Sequence, residues 1–354
     1  MDSGLQGVIV AETVLSRSDG ERGLLWLRGH TLAEIVAEYG YEGAVALLWE
    51  GFAGEGLSRS GVRAELAEAR QRAFAHLGEW LSPAAARPLV DGVRLSLEYL
   101  PADSTPAAIL AALPVAVAAL VRAGRGEAPV PPDPALATAA DLLRMIQGAP
   151  APAAMAEALD TYFAAVLENG LNTSAFTARI IASSGASLAA SVIGAYCAFS
   201  GPRHGGAPGP TLDMLDAIAA SGDPAAWIER TLAAGERLMG FGHRVFRRGD
   251  PRAAALAAAL DRLGPEAGRR AFAARVEREV KTVFARLKPG RPALEPNVEI
   301  NAALLLDAVG IPRAAFTPVF AVARCAGWLA HALEQRREGR LVRPTSAYVG
   351  PIPV

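Results

Sequence analysis

Apolar residues recur at helical spacing from Thr31 almost to the end of the chain, in alanine-rich segments that proline and glycine interrupt. Alanine favours a helix because it loses no side-chain freedom there, whereas Pro and Gly end helices. No fixed-period repeat of the kind that builds a solenoid is present. The pattern predicts an all-α protein of 354 residues, long enough for one large domain or for two of unequal size.

The exception lies at the N-terminus, where residues 7–29 hold two short β-like runs around Asp19-Gly20. An Asp-Gly pair readily adopts the positive φ angles of a tight turn. A small N-terminal β-hairpin is therefore predicted beside the helices.

Predicted helix starts are marked by a capping residue before a proline, at Asp223-Pro224, Asp250-Pro251 and Thr317-Pro318. The polar side chain caps free backbone amides of the first turn, and proline fits there because its missing N–H would have no helical partner. The helix from Pro251 is expected to stop at Gly264, and the next one to bury a stripe from Phe272 to Leu287.

Charge is nearly balanced, since 35 Lys and Arg face 36 Asp and Glu and leave a net charge of −1. We therefore expect no nucleic acid or anionic membrane as a partner. The uncharged stretch from Ile180 to Ser200 has the length of a membrane span, but its serines and glycines predict a buried core helix instead.

The two cysteines, Cys197 and Cys325, both lie in apolar helical patterns where buried free thiols are common, and no Cys or His spacing matches a metal site. The first residues lack the basic start and apolar run of a signal peptide. We expect a cytoplasmic protein without a metal ion.

Two of the five histidines, His204 and His243, lie in glycine-rich breaks, Gly-Pro-Arg-His204-Gly-Gly and Met-Gly-Phe-Gly-His243. Glycine lets a backbone approach a ligand closely, so both imidazoles are placed to contact one. Either histidine could instead merely cap a neighbouring helix. The other three, His30, His76 and His331, have no such setting and are interpreted as structural.

Acidic and basic candidates follow further along the chain. Asn297 is the predicted cap of a helix whose first turn holds Glu299, where the helix dipole favours an ionised carboxylate that can act as a base. A first-turn glutamate is also ordinary capping chemistry. Of three candidate arginines, Arg252, Arg324 and Arg343, the second is the most telling, because it lies in an otherwise apolar helix. A buried guanidinium there needs a carboxylate from the protein or from a substrate.

Two histidines, one carboxylate and three arginines together suit one reaction. The carboxylate can deprotonate the carbon next to a thioester, one histidine can hold the enolate oxygen, the other can polarise an acceptor carbonyl, and the arginines can bind an acidic substrate. A carboxylate with a pKa near about 4.3 is a weak base for a carbon acid, so the enolate stabiliser must lower much of the barrier.

Several motifs follow one another in a fixed order along the chain: Leu5-Gln-Gly-Val-Ile-Val-Ala, Gly170-Leu-Asn-Thr-Ser-Ala-Phe, Gly201-Pro-Arg-His204-Gly-Gly, Met239-Gly-Phe-Gly-His243-Arg-Val, Pro296-Asn-Val-Glu299 and Arg343-Pro344. In these stretches nearly the whole chain resembles the citrate synthase family. The resemblance implies an all-α, two-domain helical fold that forms a homodimer. Residues 1–205 and 307–354 would form the large helical domain, and residues 206–306 a small one that closes over the active site.

The resemblance also implies roles for individual residues. His204 is expected to stabilise the enol of acetyl-CoA, His243 to bind the oxaloacetate carbonyl, and Glu299 to act as the base. The expected substrate-binding residues are Asn169, Arg252, Phe320, Arg324 and Arg343, the last of them reaching into the partner's site. The expected CoA-binding residues are Met239, Gly240, Phe241 and Gly242. The family usually has aspartate as the base and histidine at position 169.

The implied function is a Claisen-type condensation of acetyl-CoA or propionyl-CoA with oxaloacetate or a related 2-oxo acid, followed by hydrolysis of the thioester. No cofactor beyond the CoA thioester is needed. Because Asn169 replaces the usual histidine, two alternatives stay open: non-catalytic binding of CoA esters or dicarboxylates, and cleavage of a citryl-CoA-like thioester.

Overall fold

A computed structural model describes Leu5 and residues 7–202, 204–206, 208–242, 246, 249–264 and 269–351. Helices make up most of the described chain, as the alanine-rich periodicity predicts, so the all-α prediction is confirmed. Of the predicted site residues, His243 lies outside the described part.

A small antiparallel sheet precedes the helices. Its strands are β1 (Ser16–Asp19), β2 (Leu24–Leu27) and β3 (His30–Thr31), in the order β1-β2-β3. The side chain of Asp19 accepts hydrogen bonds from the backbone of Glu21 and Arg22, at 3.1 and 3.0 Å, and so closes the turn after β1. The predicted hairpin is confirmed, with a third short strand added and without strand structure at residues 8–13.

The first group of helices surrounds a continuous apolar core. A π-helical stretch, Ile35–Tyr39, separates the first two of them. The helices are α1 (Leu32–Glu34), α2 (Gly40–Trp49), α3 (Arg59–Ala75), α4 (Leu77–Ala85), α5 (Leu89–Leu97), α6 (Pro106–Ala123), α7 (Thr138–Gln147) and α8 (Ala153–Val166).

The second group carries most of the candidate site residues. A 3-10 turn, Arg313–Ala315, precedes its last helix, which is buried along nearly its whole length. The helices are α9 (Thr173–Ser183), α10 (Leu188–Phe199), α11 (Pro208–Ser221), α12 (Pro224–Ala233), α13 (Pro251–Arg262), α14 (Arg270–Leu287), α15 (Val298–Ala308) and α16 (Phe316–Glu338).

Two of the three predicted helix starts are confirmed. Asp223 and Asp250 cap α12 and α13 through their side chains. The start at Thr317 is wrong, because α16 begins at Phe316 and its N-cap is Ala315. The Thr317 hydroxyl instead donates a hydrogen bond of 3.2 Å to the carbonyl oxygen of Gly205.

The apolar stretch from Ile180 to Ser200 forms parts of two helices, so the prediction of a single core helix is wrong. Gly185 has a φ of +83° and ends α9, and the Ser187 side chain accepts from the backbone of Ala190 to start α10. Two other stretches, Pro106–Ala123 and Arg313–Glu338, have the length and hydropathy of membrane spans, but 72% and 83% of these windows are buried, as in core helices.

The two cysteines differ in exposure. Cys325 is buried within α16, whereas Cys197 is exposed on α10, so the prediction of a buried thiol at position 197 is wrong. An apolar helix in contact with the core on one face leaves the other face free, and Cys197 falls on that face.

Candidate active site

His204 follows α10 and is held at the start of α9. The ring nitrogen Nε2 lies 2.8 Å from the hydroxyl of Ser174 and accepts a hydrogen bond of 3.3 Å from the Ser174 backbone amide. Because a backbone N–H can only donate, Nε2 must be unprotonated. We infer a neutral imidazole whose proton sits on Nδ1, where it makes no hydrogen bond to any described residue.

The surroundings of His204 keep it neutral. Burial lowers the pKa of the imidazole to about 4, and the nearby Arg324 guanidinium adds to the shift. The partial positive charge at the N-terminus of α9 acts in the same direction. The next residue, Gly205, has no room for a side chain, because a Cβ there would lie 2.5 Å from the Phe199 ring. This close approach explains the glycine directly after the histidine.

Ser174 connects His204 to the core. Its hydroxyl accepts a hydrogen bond of 3.0 Å from the Trp328 indole and lies 2.8 Å from the side-chain oxygen of Asn172, which caps α9. Ser174 and Trp328 are both fully buried. The sequence analysis did not single out either residue, because their importance comes from contacts between distant helices.

Arg324 is buried in α16 without a hydrogen-bonding partner among the described residues. Only 2% of the residue is exposed, and its Nε atom is unpaired. Its guanidinium carbon lies 5.3 Å from the centre of the Phe320 ring. Burial lowers the pKa of Arg324 to about 10, against the opposing effect of the Glu168 carboxylate. The expected protein carboxylate is thus near the guanidinium but not hydrogen-bonded to it.

Glu168 belongs to a buried network behind Arg324. Its Oε1 atom lies 3.2 Å from His331 Nε2 and accepts a bond of 2.9 Å from the Ser16 hydroxyl, while Oε2 has no partner. Burial raises the pKa of Glu168, but His331 and Arg324 more than offset this and hold it below its usual value. The interpretation of His331 as structural agrees with this position.

Asn169 and Phe320 lie beside these groups. The side-chain oxygen of Asn169 is buried and has no hydrogen-bonding partner in the described part of the chain. Phe320 packs edge-on against Phe199 at 4.7 Å, and Phe199 packs edge-on against His204 at 5.1 Å. The aromatic contacts therefore join the arginine-bearing helix α16 to the histidine loop.

Glu299 lies in the first turn of α15, as predicted. The side chain of Asn297 caps the helix by accepting from the Glu299 backbone amide at 2.9 Å. Burial raises the pKa of the Glu299 carboxyl, with Arg252 and Arg237 opposing the shift. A carboxylate with a raised pKa is a stronger base near neutral pH.

The glycine loop Met239–Gly242 is attached to the start of the same helix. The backbone amide of Asn297 donates to the carbonyl oxygen of Gly240, and the Asn297 side chain donates to that of Gly242, both at 2.9 Å. Gly240 has a φ of +78°, and a Cβ on it would lie 2.3 Å from the Ile300 side chain. Only glycine fits this approach of the loop to α15.

Arg252 lies in the first turn of α13 and is already engaged by a protein carboxylate. Asp250 accepts from its Nε at 2.9 Å and from its Nη2 at 2.7 Å. The same Asp250 caps the helix. A substrate carboxylate at Arg252 would therefore share the guanidinium with Asp250, which the sequence analysis did not foresee.

Arg343 is not brought to the other candidates. It lies on the exposed C-terminal tail and makes no ion pair within the described residues. No three His, Cys, Asp or Glu side chains of the described ranges come together to hold a metal ion. A surface cavity of about 310 Å³ lies against the sheet, with Ser16, Trp26 and Arg28 in its lining.

The described part of the chain is mostly helical, with one small N-terminal sheet. Comparisons with known proteins identify its class as an acyltransferase. A family model described as "Citrate synthase, C-terminal domain" matches residues 4–345. The chain belongs to the citrate synthase family.

Named relatives cover nearly the whole chain. "Putative citrate synthase 2" of Mycobacterium tuberculosis is 38% identical, over 99% of this chain and 93% of the relative. The "Citrate synthase" of Haloferax volcanii is 34% identical, over 98% and 95%. The "2-methylcitrate synthase" of Mycobacterium tuberculosis is 33% identical, over 98% and 90%.

Solved structures share the fold. Citrate synthase from Thermotoga maritima superposes with a TM-score of 0.87 at 28% identity, over 100% of this chain and 97% of the other. Citrate synthase from Thermoplasma acidophilum, solved with carboxymethyl coenzyme A and oxaloacetate, gives a TM-score of 0.86 over the same shares of the two chains. At 22% identity this second likeness supports the fold alone.

Proposed function

We propose that the protein condenses acetyl-CoA or propionyl-CoA with oxaloacetate or a related 2-oxo acid and then hydrolyses the thioester. Membership of the citrate synthase family and relatives named citrate synthase and 2-methylcitrate synthase support this reaction. The observation that carries it is the neutral His204, whose Nε2 is fixed by Ser174 and whose Nδ1–H is left to bind a substrate oxygen.

The first chemical step is proton abstraction. Glu299 takes a proton from the carbon next to the thioester carbonyl, and the electron pair moves onto the carbonyl oxygen. The Nδ1–H of His204 donates a hydrogen bond to that oxygen, where negative charge develops. A neutral imidazole can do this without first gaining a proton, and the lowered pKa of His204 keeps it neutral at physiological pH.

The second step forms the carbon–carbon bond. The enolate carbon attacks the acceptor carbonyl carbon, and the carbonyl oxygen takes up the electron pair and a proton. His243 is proposed to donate to that oxygen. Water then attacks the product thioester, which releases CoA as the thiol and leaves a carboxylate. Every step uses side chains and substrates alone.

Substrate binding is assigned to the remaining candidates. The guanidinium of Arg324, whose Nε has no hydrogen-bonding partner among the described residues, is proposed to bind a carboxylate of the acceptor, beside Phe320 and Arg252. Asn169 replaces the family's histidine with a neutral donor and acceptor. The loop Met239–Gly242 is proposed to bind CoA, because it offers a glycine-rich backbone next to Glu299.

A homodimer is proposed as the active form, with Arg343 reaching the site of the partner subunit. Its exposed position on the tail supports this, as do the exposed apolar side chains of Leu341, Tyr348 and Val349 nearby. Residues 206–306 are proposed to form the domain that closes over the site, and residues 1–205 and 307–354 the large domain. The free thiols support a reducing cytoplasm.

The two alternatives are not favoured. A non-catalytic CoA-ester binder would not need the base or the oriented imidazole, and the relatives described above carry the names of synthases. Cleavage of a citryl-CoA-like thioester would use the same residues in reverse, but none of these relatives is named for it.

The test is CoA-thiol release by the purified protein. Acetyl-CoA and propionyl-CoA are each offered with oxaloacetate and with a panel of 2-oxo acids, and Asn169→His is assayed alongside. Release with oxaloacetate is expected. Release only with another acceptor would indicate that Asn169 determines which acceptor is used. A large gain in CoA-thiol release with oxaloacetate in Asn169→His would support that role. If neither the wild type nor Asn169→His released CoA thiol with any acceptor of the panel, the proposal of a condensing enzyme would be contradicted.

A further inference from the structure

Tyr162 of α8 has a buried hydroxyl without a hydrogen-bonding partner. The residue is fully buried, and the oxygen makes no hydrogen bond to any part of the chain that the structure describes. The other two fully buried tyrosines are satisfied: Tyr41 donates to the carbonyl oxygen of Val322 at 3.0 Å and Tyr196 to that of Val90 at 3.1 Å. Because buried polar groups are normally paired, an unpaired one needs an explanation.

The hydroxyl lies in the neighbourhood of the acceptor site. The ring of Tyr162 is 6.1 Å from that of Phe320, which in turn lies 5.3 Å from the guanidinium carbon of Arg324. Arg324 and Arg252 are the charged groups that act on the Tyr162 phenol. Helix α8 also packs against both α13 and α16, which carry these arginines.

Two of the unpaired groups, the Tyr162 hydroxyl and Arg324 Nε, are donors and are complementary to an anion, whereas the other two, Glu168 Oε2 and Asn169 Oδ1, can only accept. Burial raises the pKa of the Tyr162 phenol well above its usual value, so it stays protonated and can donate. Arg324 Nε can only donate. Two buried donors on neighbouring helices, both unpaired, match a ligand with several acceptor oxygens, and a carboxylate is such a ligand.

We propose that the Tyr162 hydroxyl donates a hydrogen bond to a carboxylate of the acceptor substrate, next to Arg324, and helps select a dicarboxylic 2-oxo acid over a monocarboxylic one. This inference rests on the proposed function and deepens it. A site built to hydrogen-bond a group discriminates strongly against an analogue that lacks it, because its donors are then left unpaired. The family resemblance did not point to this tyrosine.

The experiment compares Tyr162→Phe with the wild type and with Tyr41→Phe. Oxaloacetate binding is measured by calorimetry, turnover by CoA-thiol release with oxaloacetate and with pyruvate, and thermal unfolding by melting temperature. In Tyr162→Phe, we expect Kd and KM for oxaloacetate to rise about 10- to 100-fold, with an unchanged KM for acetyl-CoA. The preference for oxaloacetate over pyruvate should fall by a similar factor.

The melting temperatures separate this role from a structural one. Tyr162→Phe removes an unpaired hydroxyl and should melt at the same temperature as the wild type or higher, whereas Tyr41→Phe loses a buried hydrogen bond and should melt lower with an unchanged Kd. An unaltered Kd in Tyr162→Phe would overturn the proposal. Binding of oxaloacetate by the wild type without turnover of any 2-oxo acid would contradict only the proposed function. Turnover of a monocarboxylic 2-oxo acid by a wild type that does not bind oxaloacetate would overturn only this proposal.

Discussion

The side-chain amide of Asn297 donates a hydrogen bond of 2.9 Å to the carbonyl oxygen of Gly242. The same side chain accepts from the backbone amide of Glu299 and so starts α15. One residue thereby joins the glycine loop, proposed to bind CoA, to the helix that carries the proposed base. In the proposed mechanism, the position of the base relative to the thioester depends on this connection.

Replacement of Asn297 should separate its two roles. Asn297→Ser keeps a capping oxygen but loses the donor to Gly242, so we expect stability within about 0.5 kcal/mol of the wild type and a fall of about tenfold in kcat. Asn297→Ala also loses the cap and should be about 1 kcal/mol less stable. Steady-state kinetics and urea unfolding measure both effects. Wild-type kcat in Asn297→Ser would contradict the proposed coupling.

Ser174 is predicted to act on catalysis through His204. In Ser174→Ala the imidazole loses its hydroxyl partner, so we expect kcat to fall about 10- to 100-fold while the KM for the acceptor changes little. The control is Ser191→Ala, because Ser191 is also fully buried but its hydroxyl bonds only within its own helix, to the Ser187 carbonyl oxygen. Equal kinetics in the two variants would contradict a positioning role.

Local signals predicted much of the fold because they depend on neighbours in sequence. The Asp19 turn and the caps at Asp223 and Asp250 need only the residues that follow them. The prediction that Thr317 caps a helix was wrong because its hydroxyl donates to the carbonyl oxygen of Gly205, far away in sequence. The prediction of one helix over residues 180–200 was wrong because it rested on apolar composition, whereas Gly185, with its positive φ, ends α9 within this stretch.

The residues of the candidate site fall into the same two groups, those with a local sequence signal and those without one. His204 and Glu299 were identified from glycines, a cap and the family motifs that surround them, and their catalytic roles stay predictions. Tyr162 has no such signal, since one tyrosine in an amphipathic helix is ordinary. Its unpaired hydroxyl, like the engagement of Arg252 by Asp250, is a property of packed helices that a one-dimensional pattern does not contain.

The lowered pKa of His204 predicts that the folded protein loses stability in acid. The unfolded chain binds a proton near pH 6.5 and the folded chain only near about 4, so folding stability is complete above about pH 6.5 and falls as the pH drops between these values. His204→Gln lacks this proton linkage. From pH 7 to pH 4.5, we expect the wild type to lose about 2–3 kcal/mol more than the variant in urea unfolding. Equal losses would contradict a neutral, half-buried His204.

Replacement of two buried arginines by methionine should affect stability differently: little for Arg324 and strongly for Arg179. Arg324 lacks a hydrogen-bonding partner among the described residues, so Arg324→Met should cost little stability while raising the acceptor KM about 100-fold or more. Arg179 donates hydrogen bonds to Glu334 and Gln335, so Arg179→Met should lower the free energy of unfolding by about 3–5 kcal/mol. Urea unfolding and kinetics measure these effects. Greater destabilisation by Arg324→Met would contradict the assignment of Arg324 to substrate.

The central claim is that Glu299 removes the proton that starts the condensation. Its most direct test is the rate of CoA-thiol release from acetyl-CoA and oxaloacetate by Glu299→Gln. Glu277→Gln is the matched control, because burial also raises the pKa of that carboxyl, but it lies on α14 and none of the charged groups that act on it is a candidate site residue. We predict a loss of at least about 1,000-fold in Glu299→Gln and near-wild-type release in Glu277→Gln. Release by Glu299→Gln within about tenfold of the wild type would contradict the account.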